Sequence, residues 1–339
     1  MKKATLKTIS DESGFSITTV SRALAGYADV NEHTRQLIVE IAERLGYQPN
    51  LTARHLRSKH TNTIGMVIPL TAYYSDQFFM ELLSGVGQQA AQHGYDLLLS
   101  AQVHGEEEIS AYRRMVDGSR VDGMVLARVR QHDARLEYLK SSAKPYVVFG
   151  HAGEDDYPYI DVDGRKGIRQ MVHHFVEYGH RRIGLIAAPD DLAFAPLRLA
   201  GYWTALDDLG LPRDPALVVT GDLSADSGAA AAAQLLDLPE PPSAILACND
   251  QMALGAMTAI AARGLRVGDD VAVAGFDDIP AAANASPPLT TIRQPIYQIG
   301  QNLAQTLIRL IRGETDYDLH MLLEPELVIR ASSGSPRTG

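Results

Sequence analysis

Cysteine is all but absent from this chain of 339 residues, with Cys248 standing alone. One thiol cannot build an internal disulfide framework, which agrees with a reducing compartment. Its place at the end of an apolar run reads as a packed thiol rather than a nucleophile. Long apolar runs are missing as well. None follows Met1-Lys2-Lys3 and none elsewhere is long enough to cross a bilayer, so neither secretion nor membrane insertion is expected, and a soluble, cytoplasmic protein is. The marks of a catalyst are also lacking. The first apolar run, IGMVIPL, carries no G-x-G-x-x-G, and neither a nucleophile elbow nor a carboxylate pair is found, so no enzyme and no cofactor is predicted. His173, His174 and His180 have no carboxylates at ligand spacing and read as a solvated helix face rather than a metal site. Glu106 to Glu108 read as a charged helix start.

What is present divides unevenly. The length suits a small domain plus a larger two-lobed one. Residues 1–60 hold nine Lys or Arg against six Asp or Glu, a balance of +3, so the formal net charge of −10 leaves −13 for everything after His60. The basic head is therefore the candidate for nucleic acid, and the acidic body should repel it.

Local signals in the head are dense. Thr5 can cap a first helix running through Leu6 and Ile9 to Ser13, where Gly14 stops it. Ser16 caps a second helix carrying Ile17, Thr18, Thr19, Ser21 and Arg22 on one side and Val20, Ala23 and Leu24 on the other, with Gly26 as its end. Asn31 caps a third, whose Leu37, Ile38, Ile41 and Leu45 fall at helical spacing before Gly46. A turn glycine followed by a short helix that opens with hydroxyls and an Arg predicts a helix-turn-helix set against DNA.

After the head, β-rich runs alternate with amphipathic helical ones: IGMVIP (64–69), YDLLLS (95–100), VDGMVLA (121–127) and YVVFG (146–150). A second series runs through RIGLIAAP (182–189), LVVTG (217–221), AILACND (244–250) and VAVAGFDD (271–278). Runs apolar on both faces and separated by helices indicate parallel strands in two α/β lobes. YIDVDG (159–164) and LTTIRQP (289–295) read as connections between the lobes, the helix from Ile296 to Gly313 precedes a final strand ELVIRAS (326–332), and the tail from Ser332 reads as polar and disordered. Asp250 reads first as a turn or helix-cap residue.

The runs TVSRALAG (19–26), VNEHTR (30–35) and LGYQPN (45–50), followed in order by IPL near Pro69, LRLAGY (197–202), CNDQMALGAM (248–257), VAGFDD (273–278) and PPLTTIRQP (287–295), are similar to the signature of the lactose-repressor and galactose-repressor family of bacterial transcription regulators. The resemblance spans nearly the whole chain. It implies a three-helix helix-turn-helix head with a hinge helix, over residues 1–61 with the hinge helix at about 50–58. It implies also a two-lobed α/β effector domain of periplasmic-binding-protein type over residues 62–339. By that analogy lobe one is 62–161 plus 293–321 and lobe two is 162–292 plus 322–332.

The resemblance also assigns roles. Ile17, Thr18 and Arg22 match positions that point into the major groove, where an Arg can bond a guanine edge and methyls can touch thymine. Ser16 opens that same helix. Thr5, Thr19, Ser21, Asn31, Thr34 and Tyr47 match phosphate-holding positions, which set register and not sequence. In the hinge, Asn50, Ala53, Arg54 and Leu56 follow the family's order, and Leu56 fits a wedge that kinks the minor groove. Two such hinges imply a homodimer on a pseudo-palindromic operator. For the effector, Arg198, Asn249 and Asp277 match ligand-contact positions at the carboxyl ends of strands, where open sheets bind ligands. Phe78 and Phe79 can supply an apolar face, while Asp76, His151, Phe194 and Leu223 lie on loops expected at the rim or wall. Leu223 stands where the family often has a stacking aromatic.

An arginine, an amide and a carboxylate suit the hydroxyls of a neutral sugar, a glucoside or short oligosaccharide. The alternatives are a nucleobase or nucleoside, which would profit from the aromatic that Leu223 replaces, or a sugar carrier, which would have no use for the head. A repressor that its sugar releases from DNA is the expectation.

Overall fold

The computed structural model describes residues 4–47, 60–69, 77–152, 156–316 and 318–334. Asn50, Ala53, Arg54, Leu56 and the rest of the expected hinge helix lie outside the described residues, as do Asp76 and the chain from 335 onward. The contacts divide the chain into two compact units, Met1–His60 and Thr61–Gly339.

In the first unit the caps fall where the sequence puts them. Helix α1 (Leu6–Ser13) begins at Thr5 and ends at Gly14 with φ +73°, α2 (Ile17–Leu24) begins at Ser16, and α3 (Glu32–Arg44) begins at Asn31. The core is Ile9, Val20, Ala23, Val30, Ile38, Ile41 and Ala42, with Leu45 packed against it. Leu37 departs from its expected place: it is 39% exposed. The buried stripe of α3 is centred on Ile38, Ile41 and Ala42, and a residue one position before Ile38 falls off its edge.

The second unit is a two-lobed α/β body built on parallel sheets. Lobe one has six strands in the order β11-β5-β4-β3-β1-β2: β1 (Thr63–Pro69), β2 (Asp96–Gln102), β3 (Gly123–Ala127), β4 (Tyr146–Phe149), β5 (Tyr159–Val162) and β11 (His320–Leu323). One face packs on α4 (Gln77–Gln92) and on α12 (Ile296–Ile311), through Leu82, Val86, Ile299 and Leu303; the other packs on α5 (Glu106–Val116) and α6 (Ala134–Ser141), through Tyr112, Met115, Leu136 and Leu139. Lobe two has four strands in the order β7-β6-β8-β9: β6 (Ile183–Ala187), β7 (Val218–Thr220), β8 (Ala244–Ala247) and β9 (Ala272–Ala274). Its helices are α7 (Gly164–Glu177), α8 (Phe194–Asp208), α9 (Ala225–Leu236), α10 (Asp250–Ala262) and the short α11 (Pro280–Asn284).

The chain passes between the lobes at β5, at β10 (Thr291–Arg293) and again at β12 (Glu326–Val328), which pairs antiparallel with β10. Three details differ from the sequence reading. LTTIRQP contains a strand as well as a connection. The strand β11, unforeseen, pairs parallel with β5 up to Leu323, so lobe one's sheet runs past residue 321. As an edge strand it shows only a weak alternation, with Met321 and Leu323 turned toward the core. The last strand stops at Val328, and Ser332 and Ser333 are fully buried in a short 3-10 turn rather than disordered. Ser332 Oγ donates to Val273 O at 2.7 Å, and Ser333 Oγ meets His174 Nε2 at 2.9 Å, so the turn closes lobe two. Among the described residues no helix is long and apolar enough to cross a membrane.

Helices α9 and α10 cross with their backbones in contact. A Cβ on Gly255 would lie 1.8 Å from Ala225 O, and one on Gly228 would lie 2.2 Å from Met252 O. Gly255→Ala must therefore push the helices apart at a cost of about 1–3 kcal/mol. Calorimetry should show a melting temperature lowered by several degrees; an unchanged value would mean that the helices part freely.

Candidate functional site

On the head, α2 turns its polar side outward. Ile17 is 48% exposed, Ser16 and Thr18 are exposed, and Thr19 and Ser21 are half-buried. Ser16 Oγ accepts from Thr19 N at 3.1 Å and shares a 2.9 Å hydrogen bond with Thr19 Oγ1, so both side chains serve the cap. Thr5 forms a capping box with Thr8, and Asn31 Oδ1 accepts from His33 N at 3.0 Å. Arg22 pairs with Asp29 and lies 4.8 Å from the centroid of the Tyr27 ring. Thr34 is half-buried; Tyr47 packs on the head core, and burial pushes its phenol pKa up. Ile17, Thr18 and Arg22 thus share an accessible side of one short helix, while Thr5, Ser16 and Asn31 hold the helix starts.

In the body, the strand ends of the two lobes enclose a cleft with about 700 Å³ of empty space, counting the solvent in its mouth. Lobe two supplies Phe194, Arg198, Leu223, Asn249 and Asp277, with Gln294 just past β10. Arg198 is 7% exposed, and its guanidinium sits between two rings, 3.7 Å from the Phe276 centroid and 4.4 Å from that of Phe194. Its Nη1 donates to the Cys248 carbonyl, while its buried Nε has no hydrogen-bond partner among the described residues. A buried donor left in that state costs free energy. Burial pushes the Cys248 thiol pKa up, against the lowering effect of Arg198, and the thiol stays a packing group.

Asn249 caps α10, its Oδ1 accepting from Met252 N at 3.0 Å and its Nδ2 donating to Leu223 O at 2.9 Å. That second bond holds Leu223 at φ +75°, a left-handed conformation unusual for leucine. Asp277 and Asp278 also have positive φ, +124° and +60°. Gln294 Nε2 donates to Asp277 Oδ1 at 2.6 Å, and Asp278 accepts from Arg293 at 2.7 Å and Arg330 at 2.6 Å.

Lobe one supplies Phe78, Phe79, Arg128, Val129, Phe149, Gly150 and Asp161. Phe78 stacks on Phe149 with centroids 6.0 Å apart, and Phe79, only 5% exposed, belongs mostly to the core. His151 does not line the cleft: its Nδ1 lies 2.7 Å from Asp161 Oδ2, and its ring stacks on Tyr159. The structure therefore brings together Phe78, Phe79, Phe194, Arg198, Leu223, Asn249 and Asp277, and sets His151 behind Asp161. Arg128, Val129, Phe149, Gly150, Asp161 and Gln294 escaped the sequence reading. Arg128, Phe149 and Gly150 stand at the ends of β3 and β4, so the strand-end rule that selects Asn249 would have found them.

A helix-turn-helix head joined to a two-lobed body with a strand-end cleft defines a class, the bacterial regulators that couple a DNA-binding domain to a periplasmic binding protein-like domain. Residues 5–50 match the model of bacterial regulatory proteins of the lacI family, and residues 172–333 match the periplasmic binding protein-like domain. The HTH-type transcriptional regulator AglR of Rhizobium meliloti (strain 1021) is 36% identical over 335 residues, 97% of this chain and 94% of its own length. Among solved structures, the lac repressor dimer bound to operator and the anti-inducer ONPF has a TM-score of 0.88 at 30% identity, covering 98% of this chain and 100% of that one. The complex of the transcriptional regulator CelR with cellobiose has a TM-score of 0.76 at 33% identity, covering 97% and 100%. The chain belongs to the LacI family of transcriptional regulators.

Asn249→Ala removes a cap and releases Leu223 together. Denaturant unfolding should show a loss of about 1 kcal/mol or somewhat more. A midpoint equal to that of the wild type would mean that other contacts hold the Leu223 turn.

Proposed function

We propose that this regulator is a repressor that binds a pseudo-palindromic operator as a homodimer in the cytoplasm and is released by a neutral sugar bound between the lobes. The observation that carries the reading is the cleft constellation: Arg198, Asn249 and Asp277 on one wall, and the Phe78 ring on the other. Donors, acceptors and an aromatic face in one pocket match the alternating hydroxyls and apolar faces of a pyranose. The CelR–cellobiose neighbour, alike in fold over nearly the whole chain, supports the same class. Leu223, where a second aromatic would serve a base, argues against a nucleoside.

On the DNA side, Ile17, Thr18 and Arg22 read bases, while Thr5, Ser16, Thr19, Ser21, Asn31, Thr34 and Tyr47 hold the backbone. Asn50, Ala53, Arg54 and Leu56 form the hinge. Arg22 exchanges Asp29 and Tyr27 for a base edge when DNA binds, so part of its contact energy is spent on that exchange. Arg22→Ala should weaken operator binding about ten- to a hundredfold more than it weakens binding to random duplex. Equal losses on both DNAs in a gel-shift titration would remove Arg22 from the base-reading set.

Because ligand and operator affinities are linked, a sugar that releases the operator must bind more weakly to the DNA-bound protein. Calorimetry with a panel of neutral glucosides that includes cellobiose tests the pocket. Asp277→Ala should lower the affinity of any binder at least tenfold. Full affinity in that variant would move the site elsewhere, and a nucleoside that binds where no sugar does would transfer the effector to the other class.

A further inference from the structure

Arg128, the residue after β3, has φ +53°, a left-handed backbone that a side chain as large as arginine adopts only when something holds it. The holder is Arg135. Its Nη2 donates to Arg128 O at 2.8 Å and its Nη1 reaches Ala127 O at 3.4 Å. The remaining N–H groups go to carboxylates: Nε and Nη2 to Asp133 at 2.9 and 2.6 Å, and Nη1 to Glu108 at 2.7 Å. All five donors of the guanidinium are thereby engaged, and a lysine could not copy the pattern. The side chains of Arg135, Asp133 and Glu108 are each 1% exposed. An ionic cluster so deeply buried adds little stability over apolar packing of equal volume, so it calls for a positional explanation. Toward the cleft the cluster holds the Arg128 loop, where Asp133 also accepts from Arg130 N at 3.0 Å.

That loop faces two ways. The Arg128 guanidinium lies 5.7 Å from the Phe79 centroid on the cleft wall. The next residues clasp the other lobe. Val129 O accepts from Ala193 N at 3.1 Å, and Gln131 N donates to Asp191 O at 2.9 Å. Arg130 spans Glu108 at 3.1 Å and Asp191 at 4.0 Å. The clasped segment leads directly into α8, which carries Phe194 and Arg198.

We propose that Arg128 is a second cationic contact for the effector, given by lobe one across the cleft from Arg198, and that Arg135 is the residue that positions it. The proposal rests on the sugar reading above. Among the described lining residues, the two arginines stand with two carboxylates, Asp161 and Asp277. On the sugar reading the occupant is a glycoside with acceptor oxygens toward both lobes, and its grip on both arginines reinforces the 129–131 to 191–193 clasp.

The test is calorimetry of the full-length protein with cellobiose and the neutral-glucoside panel, on wild type, Arg128→Met, Arg135→Met, the double variant and Arg198→Met. Arg128→Met should raise Kd about ten- to a hundredfold. Arg135→Met should do nearly the same, and the double variant should lose no more than the worse single, because both remove one contact. Additive losses would mark Arg135 as merely structural and overturn its positioning role; should Arg135→Met fail to fold, Arg135→Lys, which keeps the charge but not the five bonds, replaces it in the cycle. If Arg198→Met abolishes binding while Arg128→Met stays within twofold of wild type, the sugar reading stands and Arg128 is withdrawn. If the wild type takes nothing from the panel, the sugar reading falls and takes this clamp with it.

Discussion

One buried carboxylate carries the geometry of lobe two. Asp250, fully buried at the first position of α10, accepts from Ile279 N at 2.9 Å and from Thr291 Oγ1 at 2.6 Å, while its own N–H donates to Phe276 O at 2.8 Å. Three segments that are distant in sequence thus converge on one side chain: the start of α10, the turn after β9 and the crossing strand β10. The helix N-terminus favours the charged form, but burial and the neighbouring Asp277 push the Asp250 pKa well up. The room for this is made by Gly275, where a Cβ would stand 2.2 Å from Asp250 Oδ1. Asn249 and Asp277, which face the cleft, flank this knot on either side, so their separation is set by groups that never touch solvent.

The three helices of the head were nearly all legible because their instructions are local. Thr5, Ser16 and Asn31 act as caps within three residues of the groups they satisfy, and Gly14 meets a left-handed requirement of its own backbone. Leu37 was misplaced for the opposite reason: which edge of a helical stripe is covered depends on how two other helices approach it. In the body, strand-end positions pointed to Asn249 and Asp277 without any knowledge of packing. Asp250, one residue from Asn249, reads as a cap in sequence and proves to be a tertiary knot, since Thr291 and Ile279 come to it only after the lobes form. His151 shows the same limit. Its loop position predicted a wall of the cleft, but Asp161, ten residues on, takes its ring.

The charged groups of the cleft fall into two sets with different mechanical attachments. Both carboxylates are tied to the crossings between lobes. Asp161 belongs to β5, and Asp277 is held by Gln294, the residue after β10. Asp278 beside it is bolted to Arg293 of β10 and to Arg330 beyond β12, and Arg293 also pairs with Glu326 at 2.9 Å. Each of these carboxylates is therefore held beside a point where the chain passes between the lobes. Both arginines, by contrast, sit on elements that do not cross: Arg128 on the loop after β3 and Arg198 on α8.

Strand β3 gives that second set a further reach. Its five residues are buried throughout, which makes it a stiff element. At its far end, Asp122 receives the first residues of the body: Oδ1 accepts from Thr61 N at 2.7 Å and Thr61 Oγ1 at 3.0 Å, and Oδ2 from Asn62 N at 2.9 Å. At its near end, Arg128 lines the cleft. Strand β3 thus joins a residue of the cleft lining to the first residues of the body at Thr61 and Asn62.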